Sequence, residues 1–126
     1  MREAIADYDE AIRCNPMNPL AYYNRGTAFL DLGRYQPALD DYSEAIRVFP
    51  RDAEVYAARA FCYALLGRNG EAQQDVERAA KLGFDRAFLE RAIDEVKRQP
   101  QLLRGQARLD QAGAGETAGP GKGNTT

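Results

Sequence analysis

The stretch EAIADYDEAIRCNP at residues 3–16 returns as PALDDYSEAIRVFP at residues 37–50, and this repetition decides the fold. The two stretches share Ala, Asp, Tyr, Glu, Ala, Ile, Arg and Pro at equivalent positions, and the interval between them is the repeat length. A further shift by the same interval finds three of these identities again, at Ala72, Asp75 and Ala79. A fixed period of about 34 residues is typical of a chain built from stacked structural repeats.

Each repeat is predicted to contain two amphipathic helices joined by a short turn. Gly33 provides a stop for the first helix, Pro37 suits the first turn of the second, and Pro50 ends it. Apolar side chains recur at helical spacing between these signals. The sequence therefore predicts an all-α fold without strands, with helices near residues 3–14, 20–33, 37–49, 53–66, 70–82 and 86–98.

A helix–turn–helix unit of about this length resembles the tetratricopeptide repeat. The first complete unit matches the pattern of that family at Tyr22, Arg25, Gly26, Phe29, Ala38, Tyr42, Ala45 and Pro50. The next unit matches at Tyr56, Ala60, Tyr63, Ala72, Val76 and Ala79, and Phe84 stands where the closing proline belongs. The resemblance covers about residues 3–84 and implies a solenoid of helix pairs.

The repeat register divides the chain into two parts. Residues 1–100 are predicted to form the repeat domain, with a half repeat at 3–18, complete repeats at 19–52 and 53–86, and a C-terminal capping helix at 85–98. The inward face of that helix is predicted to consist of Phe88, Leu89, Ala92, Ile93 and Val96. Residues 101–126 are rich in Gly and Ala and carry little apolar surface, so they are predicted to form a disordered tail.

Composition excludes several classes of function. The 17 basic and 19 acidic residues give a net charge of −2, which disfavours nucleic-acid binding. The absence of His removes the commonest general base and metal ligand, and neighbouring carboxylates on helices do not converge. Cys14 and Cys62 are too few for a zinc site made of cysteines alone or for a disulfide scaffold. We therefore expect no enzyme, no cofactor, no metal, no membrane contact and a cytoplasmic location.

Charged residues also follow the repeat. Arg25 and Arg59 are separated by one repeat length and occupy positions where the tetratricopeptide pattern has leucine, and Asp7, Asp41 and Asp75 share the same period. An arginine at an inward position must reach water along its stem or find an acid. We expect a ladder of Arg–Asp pairs between neighbouring helices, with ligand binding by the arginines as the alternative.

The resemblance also implies a binding surface, because the first helix of each tetratricopeptide unit lines a concave groove. The residues that carry over to this groove are Leu20, Tyr23, Asn24, Thr27, Leu30, Asp31, Glu54, Ala57, Ala58, Phe61, Ala64 and Leu65. Family members that clamp the terminal carboxylate of heat-shock chaperones use Lys, Asn and Arg at certain of these positions. In this sequence only Asn24 agrees, and Glu54 and Ala58 stand where cations are needed.

The function predicted from the resemblance is a scaffold that binds a peptide segment of a protein partner in this groove. The alternative is a structural module that self-associates, most simply as a homodimer through the N-terminal half repeat, where Ile5, Tyr8 and Ile12 are predicted to be covered on one side only. A C-terminal fragment of a longer repeat protein is compatible with both functions.

Overall fold

The computed structural model describes residues 2–99, which form six helices and no strand. Each helix begins and ends within two residues of its predicted bounds, and the all-α prediction is confirmed. None of these helices has the length and hydropathy needed to cross a membrane. The predicted tail at 101–126 lies outside the described residues. The helices are α1 (Arg2–Cys14), α2 (Pro19–Asp31), α3 (Tyr35–Val48), α4 (Ala53–Leu65), α5 (Asn69–Lys81) and α6 (Arg86–Lys97).

Side-chain caps fix the starts of α2 and α4, the first helix of each complete repeat. The Asn18 side-chain oxygen accepts hydrogen bonds from the N–H groups of Leu20 (3.1 Å) and Ala21 (3.3 Å), and Pro19 occupies the first turn. Asp52 caps α4 in the same way by accepting from the N–H of Glu54 at 3.0 Å. These bonds satisfy backbone donors that a helix start leaves without an internal partner.

The turn within each complete repeat also has one geometry that occurs twice. Gly33 and Gly67 adopt φ angles of +78° and +76°, a conformation that glycine enters without the steric penalty of a Cβ atom. The backbone N–H of the next residue then donates to a carbonyl oxygen in the last turn of the helix. Arg34 donates to the carbonyl of Phe29 at 2.8 Å, and Arg68 donates to that of Tyr63 at 2.9 Å. The two turns therefore direct α3 and α5 in the same way against their partner helices.

The helix pairs α2–α3 and α4–α5 are the closest contacts of the stack, with α1 packed on α2, α3 on α4, and α6 against α4 and α5. Gly26 allows α2 and α3 to approach, because a Cβ atom there would lie 2.9 Å from Cε1 of Tyr42. Tyr42 and Ala38 are completely buried. On α1, Ile5, Tyr8 and Ile12 are each partly buried.

The prediction for α6 needs one correction. Leu89, Ile93 and Val96 are buried, and Ala92 is partly buried, as expected. Phe88 is 56% exposed, so its assignment to the inward face was wrong. The reason is that the N-terminal half of α6 stands beside α4 and presents Phe88 to a cavity instead of to the core.

Candidate functional site

Arg25 joins three helices through one guanidinium group. Its Nε and Nη2 atoms donate to the two carboxylate oxygens of Asp41 on α3, both at 2.8 Å, and its Nη1 atom donates to Asp9 on α1 at 2.7 Å. The hydrogen bonds that Arg25 donates to Asp41, opposed by desolvation and assisted by Asp9, raise the pKa of Arg25. The Arg25 guanidinium is therefore charged, and its hydrogen bonds go to side chains of the protein.

Arg59 repeats this arrangement one unit later. It donates to Asp75 on α5 at 2.7 and 3.0 Å, and to the hydroxyl of Ser43 on α3 at 3.1 Å. The rings of Tyr56 and Tyr63 lie within 6 Å of its guanidinium carbon. Sequence positions 9 and 43 are separated by one repeat length, which is a periodic signal that sequence reasoning missed.

The predicted Arg–Asp ladder is confirmed, and each arginine pairs with the aspartate of its own unit while also reaching the preceding helix. Asp7 is exposed, and no arginine within residues 3–99 pairs with it. Because both arginines already donate to the protein, the ladder is structural, and the candidate binding surface lies elsewhere.

A cavity of about 370 Å³ lies between α2, α4 and α6. Its wall is almost wholly apolar and aromatic, and Glu54 is the one charged residue among the described residues that line it. The rings of Phe84 and Phe88 stand 6.4 Å apart, centroid to centroid, at the α6 side. The lining residues are Tyr23, Leu30, Glu54, Ala57, Ala58, Phe61, Phe84, Phe88, Leu89 and Ala92.

The predicted groove residues divide into three groups. The cavity wall contains Tyr23, Leu30, Glu54, Ala57, Ala58 and Phe61. Ala64 and Leu65 are instead buried in the core, because they face the second helices, and this corrects their placement in the groove. The others lie outside the wall: Leu20 and Asp31 are exposed, Asn24 is partly buried, and Thr27 shares a 3.0 Å hydrogen bond with the hydroxyl of Tyr42.

Sequence reasoning missed the contribution of α6 to the cavity, which consists of Phe84, Phe88, Leu89 and Ala92. A signal was present, because Phe88 and Ala92 follow Glu54 and Ala58 by one repeat length. Helix α6 therefore follows α4 by one repeat length and forms the third side of the cavity.

The electrostatic environment of the cavity is negative near α2 and α4. The pKa of the Tyr23 hydroxyl is raised first by burial and then by the charges of Glu54 and Asp52. No described cation lines the cavity to offset these acids.

Comparison with known proteins agrees with the geometry. The tetratricopeptide repeat family matches residues 19–52, and a second family of that repeat matches residues 2–33. Residues 2–52 of the chain therefore carry tetratricopeptide repeats. This repeat is in general a module for protein–protein interaction and a non-enzymatic scaffold.

Solved structures extend the likeness along the chain. A point mutant of MamA superimposes with a TM-score of 0.58 and 29% identity over 62% of this chain and 57% of its own. The tetratricopeptide repeat domain of P58(IPK) superimposes with a TM-score of 0.64 and 22% identity over 89% of this chain and 31% of its own. The chain thus spans well under two thirds of either structure. No curated protein matches it.

Proposed function

We propose that this chain is a scaffold that binds a peptide segment of a protein partner in the cavity between α2, α4 and α6. The observation that carries the proposal is the cavity itself, which has about 370 Å³ of open space walled by aromatic and small side chains. Concave apolar sites of this size suit the side chains of a bound segment.

The wall combines rigid aromatic anchors with small residues. Tyr23, Phe61 and Phe88 provide aromatic surface, and Ala57 and Ala58 leave room between them. Aromatic side chains contribute much of the affinity at protein interfaces because they bury a large area in few rotamers. Residues 2–99 place two complete helix pairs behind this surface, which makes it short, and we expect dissociation constants on the order of micromolar or weaker.

The test is a selection of ligands from a random peptide library displayed on phage, with the full chain as target. Selected peptides are then labelled, and their affinity is measured by fluorescence anisotropy. Ala58→Phe fills the cavity without removing a core contact, so we expect it to weaken these peptides at least about tenfold. Removing Tyr23 is less clean, because its ring also packs 5.8 Å from that of Tyr42.

The matched control is Gln74→Phe, which adds the same side chain at an exposed position of α5 outside the cavity. Circular dichroism checks that both variants keep the helical content of the parent. Selected peptides that bind Ala58→Phe as tightly as the parent would refute the proposal. Self-association through the half repeat at 3–18 and the cytoplasmic location stay predictions from the sequence.

A further inference from the structure

We infer that the partner segment is basic: it places a lysine or arginine against Glu54 and apolar side chains on either side of that cation. The inference rests on the proposed function and specifies the chemistry of the ligand. It follows from the charge that the cavity carries, from the pairing of the other acids, and from the repeat register.

Within residues 2–99, Glu54 differs from most other glutamates in having no arginine partner. An arginine pairs with each of Glu10, Glu44, Glu71, Glu77, Glu90 and Glu95. No described arginine or lysine pairs with Glu54, although it borders a largely apolar cavity. A carboxylate in such a place interacts favourably with an incoming cation and unfavourably with an incoming acid.

The neighbouring acids strengthen this preference. Asp52 precedes α4, and its charge together with that of Glu54 acts on the Tyr23 hydroxyl within the cavity wall. The described lining residues include no lysine or arginine. A segment that brings a cation therefore complements the cavity, whereas an acidic segment adds like charge to it.

The repeat register places apolar side chains beside Glu54. Leu20, Glu54 and Phe88 succeed one another at intervals of one repeat length, on α2, α4 and α6. Leu20 is 63% exposed and Phe88 is 56% exposed, so both side chains are accessible to a ligand. Glu54 and Phe88 line the cavity and Leu20 lies outside its wall on α2, so the row of equivalent positions is apolar, acidic, apolar.

The order of side chains along the row suggests the form of the ligand. A polyproline II segment advances about 9 Å in three residues, and its side chains return to the same face. A segment in that conformation offers an apolar, a basic and an apolar side chain at every third position. These three side chains match the row Leu20, Glu54 and Phe88.

The probe is a synthetic heptapeptide with leucine at both ends, lysine in the centre, and proline or serine between them. A second peptide has glutamate in place of lysine. We expect the full chain to bind the lysine peptide at least about three- to fivefold more tightly, as anisotropy titration would measure. In the Glu54→Lys variant we expect the order of the two peptides to reverse.

The matched control is Glu3→Lys, which makes the same change of net charge at an exposed first-turn acid of α1. It should leave the preference for the lysine peptide intact. Equal binding of the two peptides, a preference that survives Glu54→Lys, or binding of neither peptide overturns the inference. The library selection with Ala58→Phe judges the proposed function separately, since it makes no assumption about ligand charge.

A second copy of the chain could occupy the cavity instead of a peptide. Analytical sedimentation at the protein concentrations of the titration measures whether such a dimer forms. We expect no dimer that depends on the cavity. A dimer that Ala58→Phe abolishes and Gln74→Phe preserves would assign the cavity to self-association and overturn the inference.

Discussion

Replacing Arg25 by Leu should destabilise the protein far more than the loss of a surface arginine. The Asp41 side chain is only 6% exposed, and Arg25 donates a hydrogen bond to each of its two carboxylate oxygens. Removing one partner of a buried ion pair costs about 3–5 kcal/mol because the other charge stays in the interior. Arg25 keeps 23% of its side-chain surface, which admits some water, so we expect a value of about 3 kcal/mol.

A double-mutant cycle separates this effect from packing. Asp41→Ala and the double variant Arg25→Leu with Asp41→Ala complete the cycle. We expect the double variant to lose about 2 kcal/mol less unfolding free energy than the two single variants lose together. Asp9 is the more exposed partner of Arg25, with 46% of its side-chain surface accessible. Asp9→Ala should therefore lower the free energy of unfolding by about 1 kcal/mol or less.

Urea unfolding followed by circular dichroism gives each free energy of unfolding. Arg47→Leu is the control, because its pair with Glu44 is exposed on both sides and its loss should cost less than about 1 kcal/mol. A coupling energy below about 0.5 kcal/mol between Arg25 and Asp41 would show that the pair does not act as a buried unit.

Three further changes test other contacts. Gly26→Ala places a methyl group 2.9 Å from Cε1 of Tyr42 and should cost about 1–3 kcal/mol, so an unchanged urea midpoint would contradict the close approach. Thr27→Val removes the partner of the buried Tyr42 hydroxyl and should cost about 1–3 kcal/mol, while Thr27→Ser should restore stability. The hydrogen bond from Arg86 lowers the pKa of Glu77 from its ordinary 4.5 to about 2, so its stabilising effect is complete above pH 4.5 and is lost as pH falls towards 2. Glu77→Gln should flatten the pH dependence of the thermal midpoint in that range, and a parent-like profile would argue against this pair.

The helices and the ladder could be predicted because both follow the repeat period. Repetition of Gly33 as Gly67 marks two identical turns, and repetition of Arg25 as Arg59 marks two inward cations that need acids. Periodicity carries this information because every unit meets its neighbours through the same surfaces. The second acceptors of the arginines were missed because Asp9 and Ser43 differ in type although they share a position.

The cavity was only half predicted from the sequence. Tyr23, Glu54 and Phe61 follow from the rule that first helices line the concave side, and these side chains do line the cavity. The role of Phe88 did not follow, because an amphipathic pattern identifies an apolar stripe without saying whether its edge meets the core or a cavity. Leu65 shows the converse: its place on a first helix suggested the groove, yet packing against α3 buries it.

The hydrogen bonds of Arg25 to Asp41 and to Asp9 differ in their exposure to water, and this difference sets the order in which the helices can separate. Its bonds to Asp41 lie inside the α2–α3 pair, whereas its bond to Asp9 lies at a boundary that water reaches. Helix α1 can therefore detach by giving up its apolar packing on α2 and this one exposed ion pair, while the bonds of Arg25 to Asp41 stay closed. Amide hydrogens of α1 should exchange through this partial opening, and those of α2 and α3 only when the whole pair comes apart.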